Sequence, residues 1–435
     1  MKRTILMVFP EAFHLGWLGA TRRLFHLAES FARLGFDVVL LARRMGDPRL
    51  QQQIDIEFPG QVLRTRHTGD YPILFDGKPF LERAWRMGWK MRGQDFYWSR
   101  LSWGWVDRLD TGWVGRELQA RGAAPVLIWG ICGGYLEGGT AADRLAKEME
   151  VPWVFELQDP PRGAGLGTNQ RSIVRMFRHL LSTAHAVVVT ADTYKQVLVS
   201  EYAAPEGRVH TIHLTYEDVS LGPVPHESRS FTVVYAGGLG GGRTIVPLLE
   251  ALRHATSVDP DLADSCRLVL AGKGPGFDEA RRVTESVGWK IDVEYLGHVP
   301  ASRAAELLRA SSVSVIVQPR HCFFQIPGKL FECLSYLRPV LGIMPSDCEA
   351  AILLRRSGLG FVHEEDDVEG IRDSLLELWQ AWRDGRSAVE PDLDFIGRFS
   401  IWNLPAKLSA VLKAAGIDTE APSAENVCVT LGSHE

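Results

Sequence analysis

Short runs of apolar and β-branched residues alternate with amphipathic helical patterns along most of this chain. In the first half these runs predict strands at Thr4–Phe9, Asp37–Ala42, Val126–Trp129, Trp153–Leu157 and Ala186–Thr190. In the second half they predict strands at Phe231–Ala236, Arg267–Ala271, Val293–Leu296, Val313–Val317, Val340–Ile343 and Gly360–Val362. Strands that alternate with helices favour a parallel sheet covered on both faces. The pattern therefore predicts an α/β protein.

A stretch of glycine, proline and polar residues separates the two sets of strands. Residues 216–230 carry Gly222, Pro223 and Pro225 between two strand patterns, and we interpret them as a linker. We expect a doubly wound domain over residues 1–215 and a second one from residue 231. The 435 residues are long enough for two cores. After Gly416 the sequence turns polar and without pattern, which predicts a disordered tail at residues 417–435.

Composition and charge exclude some classes of protein. Hydrophobic residues make up 46% and charged residues 23%, which argues against a mainly disordered, collagenous or coiled-coil chain. The formal net charge of −5 conceals an asymmetry: residues 1–215 hold 27 Lys and Arg against 22 Asp and Glu, whereas residues 216–435 hold 21 against 31. A positive first half suits an acidic ligand or an anionic membrane surface.

The spacing of the cysteines and the N-terminal residues predict the cellular compartment of the protein. The six cysteines lie far apart without a CxxC pair, so we expect neither disulfides nor a zinc site. The apolar run before Pro10 is short for the core of a signal peptide, and no run reaches the roughly 18 residues of a membrane span. We therefore expect a cytoplasmic protein.

Two glycine-rich turns follow successive predicted strands of the second domain. Residues 237–243 read Gly-Gly-Leu-Gly-Gly-Gly-Arg before a helix that we predict to begin near Thr244, and residues 272–276 read Gly-Lys-Gly-Pro-Gly. Glycines let backbone N–H groups approach a phosphate, and Arg243 would add a bidentate donor. Successive parallel strands end at one edge of a sheet, where α/β proteins bind ligands. A flexible turn without a ligand is the alternative.

A third candidate element begins at Gln325-Ile326-Pro327 and continues into a predicted helix that carries Lys329 and Glu332. Proline fits the first turn of a helix, and Lys329 near the positive end would face an anion. Glu332 lies among apolar residues, where a carboxylate needs a hydrogen-bond partner. A ribose diol would provide two hydroxyls, and an internal salt bridge is the alternative.

These blocks resemble the family-4 retaining glycosyltransferases of GT-B fold. The matching blocks are Gly237-Gly238-Leu239 with Arg243, Leu270–Pro275, Tyr295–Pro300, and Pro327-x-Lys329-Leu330-Phe331-Glu332 with Pro339–Leu341. The resemblance covers almost all of residues 231–380 and, more loosely, residues 1–215. It implies two Rossmann-like domains that face a cleft, an acceptor-binding one at 1–215 and a nucleotide-sugar-binding one at 231–398. It also implies a helix at 399–416 that crosses back to the first domain.

The resemblance also implies roles for individual residues. Arg243 stands where the family has a basic residue on the donor diphosphate. From its place near the positive end of the helix, we expect Lys329 to be a second catalytic cation. Asp159 occupies the place of the family's His-Asp pair beside the sugar. The donor-binding candidates are Gly16, Gly19, Gly237, Gly238, Lys273, Gly274, Gln325, Ile326, Pro327 and Glu332. We expect no metal and no cofactor beyond a nucleotide-diphosphate sugar, with UDP or GDP as the nucleotide.

Three positions depart from the family pattern. The family's usual Arg after the first glycine of the loop is Gly238, which removes one diphosphate cation. The earlier glutamate of the family's Glu-x7-Glu pair falls at Phe324, and Ser312 replaces an Asp common before the next strand. Lys329 or Lys273 could compensate for the missing cation. The changes at Gly238 and Phe324 bear directly on donor binding.

Residues 81–113 form an unusual segment, with six of the thirteen tryptophans interleaved with basic residues. Such a segment suits peripheral contact with the inner face of a membrane, for a lipid-linked or bulky acceptor. The alternative is that these tryptophans pack into the core of the first domain.

Three functional hypotheses follow from these observations. The first is a retaining, metal-independent glycosyltransferase that moves a sugar from a nucleotide-diphosphate sugar to a saccharide, a lipid-linked glycan or a small natural product. The others are a nucleotide-sugar epimerase of the same fold and a catalytically weak paralogue that binds a nucleotide-sugar or a partner subunit. No nucleic-acid partner is expected, and polysaccharide biosynthesis is the expected context.

Overall fold

The computed structural model describes residues 3–10, 18–44, 48–68, 109–134, 136–159, 171–217, 230–286 and 288–419. The chain divides into two compact units: residues 1–213 with 402–435, and residues 214–401. Each unit is built around its own parallel sheet, with seven strands in the first and six in the second. The two Rossmann-like domains predicted from the sequence are confirmed.

The first unit contains a sheet with the strand order β3-β2-β1-β4-β5-β6-β7. Its strands are β1 (Arg3–Val8), β2 (Asp37–Arg44), β3 (Gln61–Thr68), β4 (Ala124–Gly133), β5 (Trp153–Asp159), β6 (Ala186–Val189) and β7 (Val209–Thr211). Its helices before the second unit are α1 (Leu18–Arg33), α2 (Pro48–Glu57), α3 (Thr111–Ala120), α4 (Glu137–Met149), α5 (Arg171–Thr183) and α6 (Asp192–Tyr202). The strand order reverses between β1 and β4, which makes that pair the topological switch point.

The second unit contains a sheet with the strand order β10-β9-β8-β11-β12-β13. Its strands are β8 (Phe231–Ala236), β9 (Cys266–Ala271), β10 (Asp292–Gly297), β11 (Val313–Val317), β12 (Val340–Ile343) and β13 (Gly360–His363). Its helices are α7 (Val246–Val258), α8 (Asp261–Ser265), α9 (Gly276–Thr284), α10 (Ala301–Ala310), α11 (Gly328–Ser335), α12 (Glu349–Arg356), α13 (Val368–Arg383) and α14 (Leu393–Gly397). Its switch point lies between β8 and β11.

The last helix, α15 (Leu404–Ala414), belongs to the first unit although it follows the second in sequence. Leu404, Leu408 and Leu412 are buried in the same hydrophobic cluster as Leu24 of α1. This helix therefore completes the core of the first unit.

The sequence pattern missed the two edge strands of the first sheet. β3 is rich in polar residues, and β7 has only three residues, so neither forms an apolar run. Helix α7 begins at Val246, two residues after Thr244, near which it was predicted to begin, and the Thr244 hydroxyl accepts a hydrogen bond from the Val246 amide at 3.1 Å. Most of the predicted linker (218–229), of the tryptophan-rich segment (81–108) and of the predicted tail (420–435) lies outside the described residues. No helix in the described ranges has the length and apolarity that crossing a bilayer requires.

Candidate functional site

The loops that follow β8 and β11 meet at the switch point of the second sheet. A Cβ atom added to Gly242, in the loop after β8, would lie 2.9 Å from Cε1 of His321, in the loop after β11. The two loops are thus in van der Waals contact at the carboxyl edge of the sheet. Open α/β sheets bind their ligands in the crevice at this position.

The two glycine-rich turns of this edge interlock through their backbones. The Leu239 amide donates to the Lys273 carbonyl at 3.0 Å, and the Gly276 amide donates to the Leu239 carbonyl at 3.0 Å. A Cβ at Gly272 would overlap the Gly237 carbonyl, and a Cβ at Gly274 would overlap that of Leu239. Both glycines also have positive φ angles, of +146° and +130°. The packing therefore requires glycine at positions 272 and 274.

Arg243 is half-buried at the end of the first glycine-rich turn, and its Nη1 donates to the Gly240 carbonyl at 3.4 Å. The Tyr235 hydroxyl donates to the Gly238 carbonyl at 3.0 Å from below the same turn. Burial raises the pKa of Tyr235 to about 12, although the positive charge of Arg243 acts in the opposite direction. Tyr235 is therefore a neutral donor at ordinary pH, and the charge of Arg243 lies close enough to act on this turn.

Exposed donors lie on the same turn. Gly241 and Gly242 are exposed with φ angles of +60° and +81°. Across the part of the chain that the structure describes, neither amide donates a hydrogen bond. Lys273 is exposed on the second turn, beside Gly274. The edge thus offers backbone N–H groups and cations in the combination that binds phosphate.

The loop that contains Gln325, Ile326 and Pro327 is held by Gln318, a residue that the sequence analysis missed. Gln318 follows β11 and is 2% exposed, and its Nε2 donates to the carbonyls of Cys322 at 2.7 Å and Gln325 at 2.8 Å. These two bonds fix the path of the loop toward α11. The sequence signal that could have indicated Gln318 is a lone polar residue directly after an apolar strand.

Glu332 lies on α11 and has polar partners within its own helix and at its end. Its Oε2 accepts from Lys329 Nζ at 2.7 Å, and its Oε1 accepts from the Tyr336 hydroxyl at 3.1 Å. The side chain is 9% exposed, whereas that of Lys329 is 34% exposed. Of the two partners that the sequence left open for Glu332, the internal salt bridge is thus present. The two bonds hold the Glu332 carboxylate in a defined orientation on α11.

The candidates of the first unit lie at the carboxyl edge of its own sheet. Asp159 is the last residue of β5 and is half-buried. Burial raises the pKa of Tyr194 well above its usual value, and the charge of Asp159 adds to this shift. Gly19 is the second residue of α1. Gly16 lies outside the described residues.

A buried charged cluster behind this edge was not predicted. Arg23 of α1 and Glu156 of β5 form a salt bridge of 3.1 Å with both side chains fully buried. Trp129 Nε1 donates to the other carboxylate oxygen at 2.7 Å, and Arg23 Nη1 donates to the His213 carbonyl at 3.3 Å. Because Glu156 lies three residues before Asp159, the cluster connects α1 to the strand that carries Asp159.

Comparisons with known proteins agree with this architecture. Residues 19–215 match the family model of the glycosyl transferase 4-like domain. No sequence among the curated proteins matches the chain. Among solved structures, a sucrose-phosphate synthase from Thermosynechococcus elongatus is 14% identical with a TM-score of 0.64, over 95% of this chain and 98% of that one.

Two further solved structures are similar over nearly the whole chain. A glycosyltransferase from Rickettsia africae is 13% identical with a TM-score of 0.61, over 95% of this chain and 98% of that one. The HepE protein of Anabaena, solved in complex with UDP and glucose, is 13% identical with a TM-score of 0.60, over 95% of this chain and 100% of that one.

The two Rossmann-like units have the GT-B fold of these solved structures. Within that fold, residues 19–215 match the glycosyl transferase 4-like family model. The family resemblance predicted from the sequence is therefore confirmed.

Replacing Gly272 by alanine should lower the free energy of unfolding by ~1–3 kcal/mol, because the residue would be strained at this φ and its Cβ would overlap the Gly237 carbonyl. Denaturant unfolding measures the change. Gly240→Ala is the matched control, since a Cβ there meets no atom nearer than Pro275 Cδ at 3.8 Å. Its effect should stay within about 0.5 kcal/mol. Equal losses in the two variants would contradict the interlock.

Proposed function

We propose that this protein transfers a sugar from a nucleotide-diphosphate sugar to a hydroxyl acceptor, with retention at the anomeric carbon and without a metal ion. The observation that carries the proposal is the contact of the Gly242 turn with the His321 loop at the switch point of the second sheet. In this proposal the second unit binds the donor, and the first unit binds the acceptor.

The donor diphosphate lies against the turn at 237–243. The exposed amides of Gly241 and Gly242 donate to phosphate oxygens. The Arg243 guanidinium leaves the Gly240 carbonyl and donates two hydrogen bonds to the diphosphate. Lys273 and Lys329 supply the remaining positive charge. These groups stabilise the diphosphate as it leaves, and a preorganised site lowers the barrier most at that step.

The nucleoside lies along α11 in the proposed complex. Glu332 accepts hydrogen bonds from the ribose hydroxyls, and its bond from Lys329 holds it in orientation. The loop at 325–327, which Gln318 holds in place, borders the base. The HepE structure with UDP favours a uridine nucleotide, with GDP as the second candidate.

The first unit supplies Asp159 beside the transferred sugar, and Gly16 and Gly19 allow the loop before α1 to approach the donor phosphates. The acceptor hydroxyl attacks C1 of the sugar while the departing phosphate oxygen takes its proton. The new bond to C1 forms on the face from which the phosphate leaves, so the anomeric configuration is unchanged, and the proton transfer requires no metal. The acceptor is a saccharide, a lipid-linked glycan or a small natural product.

A weakly catalytic, donor-binding protein is the second candidate, and Phe324 favours it. This residue stands where the family has a glutamate, is 6% exposed and packs edge-on against Phe323 at 5.1 Å. A buried phenyl ring cannot orient a sugar by hydrogen bonds. Donor binding without turnover on any acceptor would select this candidate, whereas conversion of the donor without an acceptor would identify an epimerase.

Arg243→Ala should weaken nucleotide binding and lower kcat/KM at least tenfold, equivalent to ~1.4 kcal/mol of barrier. A thermal-shift panel of UDP, GDP, TDP and ADP first identifies the base, because a ligand that binds only the folded state raises Tm. Kinetics with the matching nucleotide-sugar then compare the variants. Arg282→Ala, an exposed arginine on α9, is the control and should behave as wild type. Unchanged turnover in Arg243→Ala would refute its assignment.

Proton NMR of the glycoside product should show the anomeric configuration of the donor, and EDTA should leave turnover within about twofold of the untreated rate. Retention follows if the acceptor attacks C1 from the face that the phosphate leaves, and the EDTA result follows if amides, arginine and lysine neutralise the leaving phosphate. An inverted product would contradict retention. Loss of activity in EDTA that Mg²⁺ restores would contradict the metal-free mechanism.

Gly238→Arg should tighten donor binding about tenfold, a change of ~1.4 kcal/mol, by restoring a second cation beside the diphosphate. The site has room, because a Cβ at Gly238 meets no atom nearer than the Lys273 carbonyl oxygen at 3.6 Å. Calorimetric titration with the nucleotide selected by the panel measures the effect. Gly238→Gln is the uncharged control, and equal affinity of the two variants would argue against a diphosphate at this turn.

A further inference from the structure

His321 is an exposed histidine in the loop after β11, and its ring lies against the first glycine-rich turn. From the position that a Cβ at Gly242 would occupy, its Cε1 is 2.9 Å away, its Nδ1 3.7 Å and its Nε2 3.9 Å. Arg243 Nη1 lies 3.9 Å from the corresponding Cβ position at Gly241. Two basic side chains are therefore next to consecutive exposed residues of the turn.

The His321 ring has no polar partner among the residues that the structure describes. His363, at the end of β13, shows the opposite case. Its Nδ1 pairs with the Asp367 carboxylate at 2.8 Å, and its Nε2 pairs with the Ser374 hydroxyl at 2.7 Å. Both nitrogens of His363 are thus used within the fold, whereas both nitrogens of His321 are available to a ligand.

The backbone that carries His321 is held on both sides of this residue. The preceding residue, Arg320, forms a salt bridge with Glu364 at 3.1 Å. The carbonyl of the following residue, Cys322, accepts from Gln318 Nε2 at 2.7 Å. The ring is therefore free of partners while its loop is fixed, and a group positioned in this way loses little freedom when a ligand binds.

The turn on which His321 packs lacks a cation that the resembled family supplies. Gly238 stands at the position of the family's usual arginine, so the side-chain cations of the two glycine-rich turns are Arg243 and Lys273. A protonated imidazole carries a positive charge and donates from both nitrogens. His321 can therefore supply, from the facing loop, a charge that the turn itself does not provide.

The charged groups on the elements around His321 are of types that ordinarily do not titrate near neutral pH. They are Arg243 and Lys273 on the glycine-rich turns, and Arg320, Asp347 and Glu364 on the loops after β11, β12 and β13. Hydrogen bonds from Ser346 lower the pKa of Glu364. Arginine, lysine and carboxylate side chains ordinarily keep their charge between about pH 5.5 and about pH 8. Histidine is the type of side chain that gains a charge as the pH falls through this range.

We propose that His321 is a diphosphate-binding residue of the donor site, which donates from its protonated ring to a phosphate oxygen of the nucleotide-sugar. This inference rests on the proposed function, because it requires the diphosphate to lie against the turn that contains Gly241 and Gly242. The protonated ring binds an anion more tightly than the neutral ring does. Affinity for the donor therefore increases as the pH falls, and is lost in part as the pH rises.

The probe is the nucleotide-diphosphate glucose whose base the thermal-shift panel selects. Each of its phosphates is linked on both sides, so the ligand keeps one charge over the tested range, whereas the terminal phosphate of a free nucleoside diphosphate would itself titrate. Calorimetric titration into the full-length protein gives the affinity at about pH 5.5 and about pH 8. We expect wild type to bind at least about fivefold more tightly at the lower pH.

Variants at position 321 separate charge from packing. His321→Gln keeps a polar side chain without the charge, so it should bind about fivefold more weakly than wild type at the lower pH and within about twofold of it at the higher pH. His321→Arg keeps the charge at both pH values and should bind equally well at both. His254→Gln, at an exposed histidine of α7, is the control and should behave as wild type.

The outcomes distinguish this inference from the proposed function. Wild-type affinity in His321→Gln at the lower pH, or an unchanged pH dependence in that variant, would overturn the role of His321. If Arg243→Ala weakens binding in the same experiment, the proposed function stands although the role of His321 is refuted. Absence of nucleotide-sugar binding to wild type at both pH values would overturn the proposed function and this inference together.

Discussion

The candidate site of the second unit depends on one constraint, the contact between the backbones of its two glycine-rich turns. The carbonyl groups of Gly237 and Leu239 occupy the space that side chains at positions 272 and 274 would need. Close approach lets the Leu239 amide and carbonyl both pair with the second turn. With these groups paired, the loop holds its shape without a ligand, so the exposed amides of Gly241 and Gly242 are positioned before binding.

In the first unit, a buried ion pair positions the carboxyl edge of the sheet. Arg23 and Glu156 lose their hydration completely, which costs several kcal/mol for each charge, and only close pairing and further hydrogen bonds recover it. The Trp129 indole and the His213 carbonyl provide those bonds. The arrangement is directional, because Arg23 Nε meets one oxygen of Glu156 while Trp129 Nε1 meets the other. It thereby fixes α1 relative to β5 more strictly than apolar contacts would.

The sequence predicted the strands that form apolar or β-branched runs. Phe231–Ala236, Val313–Val317 and Val340–Ile343 are largely buried and were placed with the bounds that the structure has. β3 lacks this signal because it is rich in polar residues, and β7 lacks it because it has only three residues. Gln318, Arg23 and Glu156 were missed for another reason: their partners lie far away in sequence or are backbone carbonyls, and such pairs become visible only when the chain is folded. The glycines of 237–243 and 272–276 were recognised because close approach of two backbones requires glycine, and a run of glycines is visible in the sequence itself.

The two edges of the second sheet illustrate how parallel topology determines which groups can bind an anion. Every strand of this sheet runs in the same direction, so helix amino ends gather at the carboxyl edge and helix carboxyl ends gather at the amino edge. At the carboxyl edge, amides of a glycine turn can carry most of the interaction, and a single arginine such as Arg243 supplements them. At the amino edge the backbone opposes an anion, and several arginines are needed to reverse the local potential.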